Sequence, residues 1–253
     1  TKLYYDLVTK GKGEEYQSFA DALNSSYSSK ITDEFIKPVI LDKEGTIKDG
    51  DSVIWINYRS DRSKQIIKSL VDSDFDEFRT TKFKNINIYT FFPLDKSIKT
   101  NSMLPTNYVE NPLGIYLSKL GLTQARVAET EKYAHVTYFF DGAYSGKIEK
   151  CDKYLIPSPI VDTYDKTPEM SAIEVTKKTI ACMQKDYDFI LVNYANPDMV
   201  GHTGSWDATL KACVTVDICL GKLIEEAENN FYKVIILADH GNADIMYNED
   251  GEV

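Results

Sequence analysis

The chain has 253 residues, 43% hydrophobic and 27% charged, enough to bury the core of one large domain or two modest ones. Its formal net charge of −10 argues against a nucleic-acid backbone or an anionic membrane as main partner, because a diffuse negative field repels polyanions; an anionic ligand must be met by local cations or metal. No apolar run approaches the ~20 residues that span a bilayer, the start TKLYYDLVTKGKGEE lacks an apolar leader core, and the four cysteines, Cys151, Cys182, Cys213 and Cys219, form no C-x-x-C pair. A cytoplasmic protein with free thiols is expected.

In chain order, β-branched and aromatic runs read as strands at SVIWINY (52–58), INIYTFF (86–92), ARVAE (125–129), HVTYFF (135–140), DFILVNY (188–194) and KVIILAD (233–239). Longer helical patterns alternate with them, the mark of a layered αβα fold with a largely parallel sheet. After the first strand, Ile66, Ile67, Leu70 and Val71 line one side of a helix. Residues 96–111 are polar, proline-bearing and without period, so a domain boundary is expected near Asn101, separating 1–101 from 102–253. Asn111 with Pro112, and Thr167 with Pro168, read as N-cap and first helical residue, Gly121 closing the first of these helices. From Ser205 to about Glu228, Cys213, Val216, Leu220, Leu223, Ile224 and Ala227 recur at three- and four-residue spacing, giving one long amphipathic helix. The chain opens on Thr and stops at NEDGEV, turn-like text that normally leads into a strand, which suggests a piece of something longer.

Asp198 and His202 fall just beyond the end of DFILVNY, and Asp239 and His240 end KVIILAD. Open α/β sheets place ligands at such carboxyl-terminal edges. Residues four apart on a turn face the same way, and Gly201 and Gly204 permit a close backbone path. A strand-end Asp also caps helices, and a lone His is commonly a packing residue; two Asp/His pairs after two apolar strands, using two of three histidines, favour a metal site. Carboxylate with imidazole suits Mn²⁺ or Zn²⁺ better than Mg²⁺ or Ca²⁺. Two such ions ~3.5–4 Å apart would clamp the oxygens of a phosphoryl transfer. Four ligands are few for two metals, each wanting roughly three protein donors; the third histidine, His135, reads as a packing residue.

Arg59 and Arg62, three apart at a helix start, could meet one phosphate or carboxylate or simply be solvated. Lys132, flanked by Glu129 and Glu131, reads on chemistry alone as an exposed ion pair.

The segments INYRSDRSKQI, RVAETEKYAHVTYFF, IPSP, TYDKTPEMSA, VNYANPDMVGHTG and LADHGNAD occur in the order found in cofactor-independent phosphoglycerate mutases, of the alkaline phosphatase superfamily, and the resemblance covers essentially the whole chain. It implies an alkaline-phosphatase-like domain plus part of an α/β phosphotransferase domain, and interconversion of 3-phosphoglycerate and 2-phosphoglycerate through a phosphoserine. Two Mn²⁺ ions are implied, with Zn²⁺, Mg²⁺ or Co²⁺ as alternatives, and no 2,3-bisphosphoglycerate requirement. Carried over by residue, Asp198 and His202 would hold one metal and Asp239 and His240 the other. Lys132 would contact the transferring phosphoryl group, Arg59 and Arg62 would grip the phosphoglycerate, and domain closure would bring the arginines to the metals. The family's serine nucleophile, a further metal aspartate and a last metal histidine have no match in this sequence, so inactivity alone is expected. The intact enzyme is expected to be a monomer with small-molecule partners only. A related superfamily phosphatase or phosphopentomutase, or an inactive metal-binding fragment, is the alternative.

Overall fold

The structure, a computed structural model, describes every residue except 58, 59, 95, 96, 106–108, 145 and 249–253. The chain divides into two compact units, Thr1–Asn107 and Tyr108–Val253.

The first unit runs α1 (Lys2–Lys10), β1 (Glu14–Glu15), α2 (Phe19–Ser28), β2 (Val39–Ile40), β3 (Ser52–Trp55), α3 (Ser60–Val71), β4 (Asn87–Thr90) and β5 (Asn101–Ser102). β1 pairs with β2, and β3, β4 and β5 form a second sheet, all parallel. The helical spacing of Ile66, Ile67 and Leu70 puts them on the buried face of α3, against Ile88 of β4 and Tyr5 of α1. Burying each such side chain stabilises the unit by about 1.5–3 kcal/mol. Arg62 stands on α3, while Arg59 lies outside the described residues.

The second unit contains α4 (Leu113–Lys119), β6 (Gln124–Glu129), β7 (Cys151–Ile156), α5 (Ala172–Met183), β8 (Phe189–Asn193), α6 (Asn196–Gly201) and α7 (Trp206–Asn229). Its sheet has the order β7-β6-β8, again fully parallel. β6, between two strands, is buried at every position. Because side chains alternate along a strand, Ala125 and Val127 face Val175 and Cys182 of α5. Gln124 points the other way and donates to the Gly114 carbonyl of α4 at 2.8 Å. Helices thus cover both faces of an α/β sandwich with parallel strands.

On that second face Arg126 is completely buried. Its guanidinium lies 4.3 Å from the centre of the Phe140 ring and 5.1 Å from that of Phe189, donates to Gln124 Oε1 at 2.6 Å and stands 3.8 Å from Asp141 Oδ1. Gly114 makes room for this pair: a methyl group there would run into the Asp141 carboxylate and come within 2.7 Å of Arg126 Nη2. Gly114→Ala gains up to about 1 kcal/mol of helix propensity but overpacks a buried ion pair at a cost of about 1–3 kcal/mol. We expect net destabilisation, read as a lower urea midpoint at unchanged slope; a raised midpoint would contradict the packing.

Four local expectations change. HVTYFF forms a π-helical turn, His135–Phe139, not a strand. Thr137 Oγ1 donates to the Tyr133 carbonyl at 2.7 Å, and the rings of His135 and Phe139 meet edge to face at 5.3 Å; side chains four apart meet only on a helical path. KVIILAD carries no regular structure, with Ile235 84% and Leu237 79% exposed, since among the described residues no ladder supplies its hydrogen bonds. Thr167 ends a 3₁₀ turn rather than capping a helix: Met170, at φ 42°, donates back to its carbonyl at 2.9 Å, and α5 starts only after Ser171. Pro112, with ψ 155°, is itself the cap of α4, one residue later than read. The long helix is found at Trp206–Asn229, its buried stripe running through Ala212, Cys219, Leu223 and Ala227.

Candidate metal centre

Three sequence-distant segments of the second unit meet at one place. β8 delivers the chain into α6, where Asp198 occupies the first turn and His202 the C-cap. The helical path brings His202 Nε2 to 3.2 Å from Asp198 Oδ1. Asp239 and His240 follow the irregular 232–238 stretch, with His240 Nε2 3.8 Å from Asp239 Oδ1 and 3.9 Å from Asp198 Oδ2. Lys132 enters on the 3₁₀ turn Thr130–Lys132 that follows β6. Its ammonium lies 2.6 Å from Asp198 Oδ2, 3.6 Å from Asp239 Oδ2 and 3.4 Å from His240 Nε2.

The reading of Lys132 as an exposed ion pair with its neighbours is thereby corrected: Lys132 is buried, and both glutamates are engaged elsewhere. Glu129 Oε2 accepts from Ser158 Oγ at 2.9 Å and from the Ser171 amide at 3.3 Å, and Glu131 Oε1 accepts from Tyr164 at 2.8 Å. The loop text IPSP and TPEMS therefore fastens the turn that carries Lys132.

Two asparagines not singled out in the sequence support the carboxylates. Asn242 Nδ2 donates to Asp198 Oδ1 at 2.8 Å and to its main-chain carbonyl at 3.2 Å; Asn193, the last residue of β8, donates to Asp239 Oδ2 at 3.4 Å. Gly201 is needed for the first of these, since a Cβ there would stand 2.6 Å from Asn242 Oδ1. The only signal for either was position, Asn193 at a strand end and Asn242 beside Asp239-His240.

Burial opposes ionisation of Asp198, but hydrogen bonds from Lys132 and Asn242, with the nearby charges of Lys132 and His202, outweigh it and hold its carboxyl below the usual value. At Asp239 burial is likewise outweighed, by the charges of Lys132 and His240. Both are carboxylates at neutral pH. His240 Nδ1 lies 3.1 Å from the Gly241 carbonyl; a carbonyl only accepts, so Nδ1 carries the proton and Nε2 turns its lone pair toward Lys132, the tautomer a metal ligand needs.

Two donors on one ion at about 2.0–2.2 Å stand roughly 3.0–3.5 Å apart. The 3.2 Å of Asp198 and His202 meets that, and the 3.8 Å of Asp239 and His240 exceeds it by a few tenths of an ångström. Carboxylate oxygen with imidazole nitrogen is a donor set for Mn²⁺ or Zn²⁺. The two pairs thus suit divalent ions in donor type and spacing. Among the described residues no three His, Cys, Asp or Glu side chains surround a common point as a metal cage does; Asp198, Asp239 and His240 are instead linked through Lys132 Nζ. Arg59 and Arg62 belong to the first unit, and nothing of their side chains is described.

Glu129, buried beside this site, is shifted the other way. Burial pushes its carboxyl up to about 7 from the usual 4.5, the Ser158 and Ser171 bonds offsetting only part, with Glu131 and Glu174 adding to the rise. A raised folded-state value means the group stabilises the fold fully below about 4.5 and loses that contribution as pH rises through about 7. Wild type should lose melting temperature relative to Glu129→Gln between pH 5 and pH 8, as followed by circular dichroism; parallel curves would contradict the assignment.

A family model described as Metalloenzyme superfamily matches residues 45–250. The chain is 46% identical over 250 residues to the 2,3-bisphosphoglycerate-independent phosphoglycerate mutase of Bacteroides thetaiotaomicron, covering 98% of this chain and 50% of that protein. It is also 46% identical over 252 residues to the protein of that name from Clostridium acetobutylicum, covering 97% and 49%. Among solved structures it is similar to a Leishmania mexicana phosphoglycerate mutase studied at low cobalt concentration, with TM-score 0.88 and 29% identity over 100% of this chain and 48% of that one. The chain spans about half the length of the curated relatives it matches. Among the described residues no helix is long and apolar enough to cross a membrane.

Proposed function

Since the chain belongs to the Metalloenzyme superfamily, we propose that it carries most of the metal centre of a cofactor-independent phosphoglycerate mutase, interconverting 3-phosphoglycerate and 2-phosphoglycerate. The observation that carries this reading is the meeting of Asp198, Asp239 and His240 around Lys132, with His202 against Asp198, in a chain whose relatives bear that enzyme's name.

On this reading Asp198 with His202 holds one divalent ion and Asp239 with His240 the other, both Mn²⁺. Such ions, when bound, supply Lewis acidity and lower the pKa of a hydroxyl nucleophile. The protein's own part is positioning. Asn242 and Asn193 fix the carboxylates, the Gly241 carbonyl fixes the His240 tautomer, and the buried turn at Thr130–Lys132 presents an ammonium that neutralises charge on the transferring phosphoryl oxygens. Arg59 and Arg62 grip the phosphoglycerate, residues 1–101 belonging to the phosphotransferase part and 102–253 to the phosphatase part. The phosphoserine route needs a nucleophile that the motifs matched here do not contain, so turnover is expected of a protein of the relatives' full length. The reaction serves glycolysis and gluconeogenesis in the cytoplasm, in a monomer that needs no 2,3-bisphosphoglycerate.

The experiment is an assay of a full-length protein containing this segment, with 3-phosphoglycerate and Mn²⁺ and no 2,3-bisphosphoglycerate. Formation of 2-phosphoglycerate, abolished by chelation, is expected. Release of inorganic phosphate without isomer would contradict the reading and point to a phosphatase of the same superfamily.

A further inference from the structure

The stretch 157–171, between β7 and α5, closes on itself where Ser171 Oγ donates to the Pro157 carbonyl at 2.7 Å. On one side this strap is bonded to the turn that carries Lys132. Glu129, fully buried at the end of β6, accepts from Ser158 Oγ at 2.9 Å and from the Ser171 amide at 3.3 Å, so one carboxylate oxygen pins both ends of the strap. Returning bonds run from the Ser158 amide to Thr130 Oγ1 at 3.0 Å and from the Glu131 amide to Ser158 Oγ at 3.4 Å. On the other side the strap is bonded to α6. Asn196, fully buried and two residues before Asp198, donates from Nδ2 to the Pro168 carbonyl at 2.8 Å, and Met170 packs in one cluster with Ala195 and Val200. The Lys132 turn and the helix of Asp198, 66 positions apart in sequence, are thus held by the same strap.

We infer that Glu129 is a positioning residue for Lys132, its carboxyl group being the clasp that fixes the Lys132 ammonium relative to α6 and Asp198. This rests on the proposed role of Lys132 against the transferring phosphoryl group and names the residue that sets its aim. Glu129 acts through the turn: Thr130 and Glu131 separate it from Lys132, and both are themselves bonded to the strap. A fixed charge stabilises a transition state only while its aim holds, and a displacement of about 1 Å costs about a hundredfold in rate. An interaction that matters most in the transition state is lost from kcat rather than from KM.

The test uses a full-length protein containing this segment, as wild type, Glu129→Ala and Glu129→Gln, with two readouts. The first is the acetylation rate of Lys132, by peptide mass spectrometry, relative to that of Lys153; their side chains are 3% and 31% exposed. In Glu129→Ala the Lys132 rate should rise at least about tenfold against Lys153, as loss of a hydrogen bond to a charged group implies. The second is mutase turnover, where kcat should fall about a hundredfold with KM for 3-phosphoglycerate little changed. Glu129→Gln keeps a carbonyl acceptor for the same two donors and should restore both. Wild-type values of both readouts in Glu129→Ala, even with a lowered melting temperature, overturn the inference while leaving the metal centre standing. A Glu129→Gln chain as impaired as Glu129→Ala overturns it too. Absence of 2-phosphoglycerate from wild type overturns the mutase reading, and the acetylation rate then decides the inference alone. Should Glu129→Ala fail to fold, Ser158→Ala takes its place with the same outcomes, since it removes one hydroxyl from the same clasp.

Discussion

Asp198→Ala should weaken Mn²⁺ binding to this chain by at least about a hundredfold, beyond what loss of a supporting hydrogen bond causes (roughly 10–100-fold). Asp198 is the hub of the cluster: Oδ1 meets His202 and Asn242, and Oδ2 meets Lys132 and lies 3.9 Å from His240. Removing it takes a charged donor from one proposed ion, and leaves the Lys132 ammonium beside the second with Asp239 as its remaining carboxylate partner. Asn242→Ala, which keeps the carboxylate but frees its orientation, should fall within the milder range. Calorimetry gives the affinities, and thermal melts on the same samples show that the variants are folded. Wild-type affinity in folded Asp198→Ala would remove this residue from the ligand set.

The largest effect on stability is expected at Arg126→Ala. The guanidinium is fully buried between Phe140 and Phe189 and is charge partner to a fully buried Asp141. Burial raises the Asp141 carboxyl, and Arg126 and Lys153 offset only part of that rise. Breaking such a pair from one side costs about 3–5 kcal/mol, because the remaining charge is stranded. That is a large share of the roughly 5–15 kcal/mol by which domains are stable. Replacing both partners, as in Arg126→Met with Asp141→Leu, should recover most of the loss, since an apolar pair leaves no charge behind. Urea unfolding of the three chains reads this directly. A loss below about 1 kcal/mol in the single variant would show that Arg126 is packing stem rather than counter-charge.

Most of the second unit's scaffold could be read from the residues, because β6, β8 and α7 announce themselves by apolar content and period, and burial is what made them apolar. The failures have physical causes. HVTYFF has the aromatic and β-branched content of a strand, yet its rings pack four residues apart on a π-helical turn. KVIILAD is apolar enough for a buried strand, but a strand exists only through its neighbours' hydrogen bonds. Arg126 was hidden inside the strand-like text ARVAE, where neither period nor propensity shows that its charge faces Asp141 fifteen residues on.

At the candidate site, the two Asp/His pairs were visible because few residue types bind metal and they recur after apolar runs. The setting of Lys132 was not. Its sequence neighbours are glutamates, but the sheet turns these toward Ser158, Ser171 and Tyr164 and turns the lysine toward aspartates 66 and 107 positions away. Asn193 and Asn242 were equally silent, since asparagine after a strand is ordinary turn chemistry until a carboxylate is placed against it.

The central claim is that the cluster around Lys132 is a divalent metal site, and anomalous diffraction at the manganese edge from crystals soaked in Mn²⁺ tests it most directly. The expected result is anomalous density within about 2.0–2.3 Å of donor atoms of Asp198 with His202, and of Asp239 with His240. Density confined to other parts of the chain would contradict the account.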